Sequence, residues 1–151
     1  MSGTTKKGTG RDEIQNGFVR FAMVNIMKKL VIINNQYFQR FHSCNAFYRY
    51  DAQKNCYHFI SYNTYIMRID KINGRYIILA YDYKGVTTQK QMSRFIFEFC
   101  GYGYYKAYKK AREIMRKNNG SFMVLEMVEN FETWTLKLIT SNGNKTITFN
   151  I

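Results

Sequence analysis

The sequence predicts an α+β fold, with antiparallel β-meanders, an N-terminal helix and two central helices packed on one face. Three observations carry this. Asn73-Gly74 lies between the β-rich runs YNTYIMRID (62–70) and RYIILAY (75–81), and Asn-Gly is a strong hairpin signal because both residues accept positive φ. Met92, Phe95, Ile96 and Phe99 recur at i, i+3, i+4 and i+7, the apolar stripe of an amphipathic helix. Trp134, Leu136 and Leu138 alternate with Thr133, Thr135, Lys137 and Ile139, as in a strand with one buried face.

The elements follow in order. Residues 1–11 are small, polar and basic, too poor in apolar surface to offset ordering entropy, and read as a flexible basic tail. Residues 12–151 read as a single α+β domain. From Asp12 to about Asn34 the pattern is helical, with Ile14, Phe18, Phe21 and Ala22 on one face. Its β-branched end, Val31-Ile32-Ile33, leaves open an earlier stop near Lys29 followed by a strand. The runs 46–50 and 56–61 flank a polar turn. Thr88 and Gln91 have capping-box spacing at the start of the first central helix, and Gly101 is placed to stop it. A second central helix covers about 104–117 and ends at Asn118-Asn119-Gly120. Three strands close the chain, the last two joined at Ser141-Asn142-Gly143-Asn144.

The second central helix is the densest part of a chain whose formal charge is +13. It carries Lys106, Lys109, Lys110, Arg112, Arg116 and Lys117 against one acid, Glu113. A merely solvated helix interleaves acids at i+4 to pair with its lysines. This one does not, so its cationic arc points to a polyanionic partner: nucleic acid, a nucleoprotein or an acidic protein face. Those six cations are the candidate partner- or nucleic-acid-binding residues. Aromatic content of 17% suits half-exposed sheet positions and binding surfaces alike.

Other chemistries find less support. His42-x-Cys44 and Cys56-x-His58 would form a Cys2His2 zinc cluster if their strands paired with the tip near Tyr50. The polar turn is centred nearer Gln53, a register that pairs Tyr50 with Cys56 and separates the ligands. No structural metal and no cofactor are expected. Nucleophilic catalysis needs a base within reach of Ser, Cys or Thr, and nothing marks a pair with either of the two His. The ten acids, among them Asp70, Asp82 and Glu98, are scattered. No phosphate loop follows a strand. The chain is not expected to be an enzyme. No apolar run approaches the roughly 18 residues of a membrane span and no charged-then-apolar leader opens the chain. The expected setting is a reducing cytoplasm.

One stretch carries a resemblance. SYNTYIMRID, then YDY at 81–83, then VTTQKQMSRFIFEFCG is similar to a pattern in small proteins of phages and mobile elements of Gram-positive bacteria. It covers residues 61–101. The resemblance implies a fold signature at Ser61, Tyr62, Thr64, Thr87 and Thr88. Gly85-Val86 replaces the family's usual Ser-rich turn, and Gln91 stands where His is common. Some proteins of this kind resemble the strand–helix core of type II anti-CRISPR proteins. That implies a cytoplasmic inhibitor in the bacterial host cell, with a bacterial CRISPR effector nuclease or its nucleoprotein complex as partner. It would occupy the RNA-guided nuclease stoichiometrically. The alternative is a direct DNA- or RNA-binding phage regulator that uses helix 104–117.

Overall fold

A computed structural model of the chain describes residues 30–42 and 45–151. The expected basic tail, the N-terminal helix and Cys44 lie outside the described residues. The rest forms one antiparallel sheet of nine strands, each hydrogen-bonded to its neighbour in sequence. The strands are β1 (Leu30–Ile33), β2 (Gln36–Arg40), β3 (Ala46–Asp51), β4 (Cys56–Ser61), β5 (Thr64–Ile72), β6 (Arg75–Tyr81), β7 (Gly120–Met127), β8 (Thr133–Thr140) and β9 (Gly143–Asn150). Two helices, α1 (Val86–Cys100) and α2 (Tyr102–Lys117), are inserted between β6 and β7. Because β6 and β7 still pair antiparallel, the helical pair leaves the sheet and returns beside its point of departure. Val31 to Ile33 thus belongs to a strand, as its β-branching favours.

Turn chemistry fixes this meander. Asn73 (φ 50°) and Gly74 (φ 75°) supply the two left-handed residues of the β5–β6 hairpin, as their sequence predicts. Asn34 (φ 52°) and Asn35 (φ 62°) do the same for β1–β2, without glycine and with no comparable prior signal. Between β3 and β4 the turn is Ala52 to Asn55, and Asp51 Oδ1 accepts the amides of Gln53 (3.1 Å) and Lys54 (3.2 Å). The register is therefore Asp51 opposite Cys56 and Tyr50 opposite Tyr57. It is one residue away from the register expected from a turn near Gln53.

The core lies between the sheet and the two helices. Trp134, Leu136 and Leu138 of β8, with Ile78, Ala80, Met123 and Leu125, meet Phe95, Ile96, Tyr104, Ala107, Tyr108 and Met115. Fully burying the larger aliphatic and aromatic side chains among these contributes about 1.5–3 kcal/mol each. The Trp134 Nε1–H is not left unpaired, since it donates to the Phe131 carbonyl at 2.9 Å. Rings fill the β3–β4 end, where Phe95 lies 4.3 Å from Phe59 and 5.4 Å from Phe41 between ring centroids. Phe38, Phe47 and Ile60 form a separate cluster. Ile60 follows Phe59 in β4 and so points to the opposite face of the sheet.

The start of α1 corrects the capping-box reading. The helix begins at Val86 after Gly85, with no side-chain cap. Thr88 and Gln91 are already inside it. Both turn to β4, where Ser61 Oγ donates to Gln91 Oε1 (3.3 Å) and lies 3.4 Å from Thr88 Oγ1. Gly101 ends α1 at φ 97°, its amide shared between the carbonyls of Ile96 and Phe97. It also opens α2 directly, two residues earlier than the sequence pattern suggests.

Candidate nucleic-acid or nucleoprotein interface

Helix α2 buries Tyr104, Ala107, Tyr108, Ala111 and Met115 against the sheet. That orientation distributes its cations over two flanks and does not gather them into one patch. Lys109 and Arg112 face α1. Lys110 faces β9, where its Nζ donates to the Asn150 carbonyl at 2.5 Å and sits 5.9 Å from the Phe149 ring centroid. Arg116 reaches Asp82, with Nε 3.5 Å from an Oδ1 whose side chain is 8% exposed. Asp82 neutralises Arg116 locally, so this cation is tied to the β6 end of the sheet. The same two residues, with Lys84 and Ser121, line a hollow of about 600 Å³. Lys117 and Arg116 close the last turn, where positive charge complements the helix dipole.

The structure adds two cations that α2 alone does not contain. Lys90 and Arg94 of α1 join Lys109 and Arg112 along a groove of about 490 Å³ between the helices, which Gln89 and Ser93 also line. No acid is among its described lining residues. Arg94 also binds Glu98 through Nε at 3.0 Å, and His42 Nε2 lies 2.6 Å from the same carboxylate. This pairing holds one end of Arg94 in place. Among the described residues the buried Arg112 Nη1 has no hydrogen-bond partner, although a buried charged donor of this kind ordinarily has one. Its guanidinium lies 5.8 Å from the Tyr108 ring centroid.

Aromatic rings border the groove. Tyr105 and Phe97 line it, and Phe97 is 49% and Tyr102 61% exposed. The three form one surface cluster, with centroids 5.6 Å (Phe97–Tyr105), 6.2 Å (Tyr102–Tyr105) and 6.4 Å (Phe97–Tyr102) apart. Lys106 stands 5.3 Å over Tyr102 and Lys109 5.6 Å over Tyr105, within the roughly 6 Å range of cation–π attraction. Of the six candidate cations, then, Lys109 and Arg112 line the groove and Lys106 sits with its aromatic border. Lys90, Arg94 and Phe97 share a face of α1 at i, i+4 and i+7, a legible spacing that a search for charge density alone passes over.

The histidines and cysteines do not assemble a Cys2His2 set among the described residues. His58 pairs across the strands with Arg49, while His42 contacts Glu98. In place of that set, Asp51, Cys56 and His58 bring one ligand atom each within 4.8 Å of one another. Cys56 Sγ lies 3.6 Å and Asp51 Oδ2 3.8 Å from His58 Nε2. Burial and the Arg49 guanidinium hold His58 below its ordinary pKa, which leaves the imidazole neutral at neutral pH. Arg49 also approaches Asp51 at 3.8 Å, so a cation at this position would meet an existing positive charge.

The chain was compared with family models, curated proteins and solved structures, and nothing in any of the three matches it. No helix among the described residues is long and apolar enough to cross a membrane.

Proposed function

We propose that this is a binding protein of phage or mobile-element type, whose helical layer occupies an RNA-guided type II CRISPR effector nuclease stoichiometrically. One observation carries the polyanion part of this reading: four cations from two helices, Arg94 among them already paired with Glu98, line a groove with no acid among its described lining residues. Like charges brought together in that way repel one another, and an anionic partner relieves the repulsion. A guide-loaded nuclease offers such a partner in its RNA backbone and in the acidic residues that hold its metals. The choice of a nuclease rests on the sequence resemblance over residues 61–101. The Ser61–Thr88 contact gives two residues of that signature a structural role. A second reading, direct nucleic-acid binding by a phage regulator, is favoured by the exposed rings beside the groove.

The test is the salt dependence of binding to a guide-loaded type II nuclease. Four phosphate contacts of single-strand character predict a logarithmic slope of about −2.8, or about 50-fold weaker binding between about 50 and 200 mM salt. Replacing Lys90, Arg94, Lys109 and Arg112 by Gln should abolish most of that dependence. Wild-type affinity and slope in this variant would remove the groove from the interface. Salt-dependent binding to naked nucleic acid alone, with none to the nuclease, would favour the second reading.

A further inference from the structure

We propose that the α1–α2 groove and its ring cluster bind single-stranded nucleic acid, with phosphates against the cations and unpaired bases on Phe97, Tyr102 and Tyr105. The inference rests on the polyanion reading and narrows it to one class of partner. Charge alone does not distinguish a duplex from a single strand, since both present phosphates. The rings do, because a duplex keeps its base faces stacked inside, whereas a single strand can lay them on aromatic side chains. An exposed aromatic cluster that borders a groove lined by four cations offers both contacts to one strand.

The geometry suits such a strand. Tyr102, Tyr105, Lys109 and Arg112 follow one another at three- and four-residue steps and so form one stripe along α2. From Tyr102 to Arg112 the helix rises about 15 Å, room for a short run of extended nucleotides. Lys106 and Lys109 stand over Tyr102 and Tyr105, so phosphates and bases would meet alternating groups along the same line. Arg112 also lines the groove and ends the stripe with a guanidinium, a group whose planar fork suits phosphate oxygens. Lys90 and Arg94 hold the opposite wall. A guide-loaded nuclease contains strands of this chemistry, namely unpaired guide RNA and the displaced DNA strand.

The experiment is a fluorescence-anisotropy titration of the full chain with labelled oligo(U), oligo(dT) and a DNA duplex of the same length. The same variants are assayed in parallel for binding to the guide-loaded nuclease. Single strands should bind more tightly than the duplex. Phe97→Ala and Tyr102→Ala should each weaken single-strand binding about tenfold, the loss of roughly one stacked base, with an unchanged salt slope. Phe97→Tyr should restore it. Lys109→Gln with Arg112→Gln should instead flatten the slope. Both rings are exposed, and circular dichroism of each variant verifies its fold. Equal affinity for duplex and single strand, or wild-type binding by both folded ring variants, would overturn the proposal. If nuclease binding survives in that case, the proposed function stands without it; if nuclease binding is also absent, both fail.

Discussion

Substituting Ser61 by Ala should cost stability out of proportion to the single oxygen removed. Ser61 and Gln91 are 4% and 8% exposed, and the Ser61 hydroxyl donates to Gln91 Oε1 at 3.3 Å. Without it, a buried amide oxygen loses its donor. Thr88 Oγ1 is only part-buried and can turn to water. An unsatisfied buried acceptor costs about 1–3 kcal/mol, whereas removal of both partners is nearly neutral. We therefore expect Ser61→Ala to cost about 2 kcal/mol, a fall in Tm of about 4–8 °C for a chain of this size. Ser61→Ala/Gln91→Leu should recover at least about 1 kcal/mol of that, measured as the coupling term of a double-mutant cycle in urea. Amide exchange should locate the loosening in α1, the helix that carries Lys90 and Arg94. Stability of Ser61→Ala within about 0.5 kcal/mol of wild type, or strictly additive single changes, would refute this account of the β4–α1 contact.

Three further outcomes can be checked readily. A Cβ at Gly103 would lie 2.4 Å from Phe131 Cδ1, so Gly103→Ala should destabilise by about 1–2 kcal/mol in spite of alanine's higher helix propensity. Gly103→Ala/Phe131→Ala should relieve that clash, and stabilisation by the single change would contradict it. Burial pushes the Cys100 thiol up to about 12, so it stays protonated below that pH and its reactive thiolate is scarce. Cys100 should resist iodoacetamide in the native protein at mildly alkaline pH and label fully once unfolded; peptide mapping that finds it labelled at the rate of a free thiol would contradict this. Protein purified without chelator should contain no stoichiometric zinc, because Arg49 lies beside Asp51. About one zinc per chain, lost in His58→Ala, would show that Asp51, Cys56 and His58 bind metal after all.

Much of the fold was legible because its signals are local. The Asn73-Gly74 turn, the Met92–Phe99 stripe and the alternation in β8 each need only a few neighbouring residues. Hairpin β1–β2 was harder, since Asn34-Asn35 lacks glycine and Gln36–Arg40 buries only Phe38. The Thr88/Gln91 spacing misled for a tertiary reason: the same polar pair that could cap a helix also serves to join it to Ser61 across 27 and 30 residues. The candidate site was half legible. Density of charge singled out α2, but which of its cations cooperate depends on the apolar stripe that docks it. That docking turns Lys110 to β9 and leaves Arg116 with Asp82. The partners of Lys109 and Arg112 lie on another helix, and no spacing within α2 could reveal them.

If the α1–α2 face acts by occupation without turnover, titration of nuclease inhibition should show it. Increasing amounts of the protein are added to a fixed amount of guide-loaded type II nuclease, and DNA cleavage is followed. Cleavage should fall linearly and break near equimolar protein, with guide RNA and nuclease intact by mass spectrometry. The variant with Lys90, Arg94, Lys109 and Arg112 changed to Gln should shift the curve to large excess. Complete inhibition far below equimolar protein, or a covalently altered guide or nuclease, would reveal an enzyme. No inhibition at any ratio would rule out the nuclease as the target.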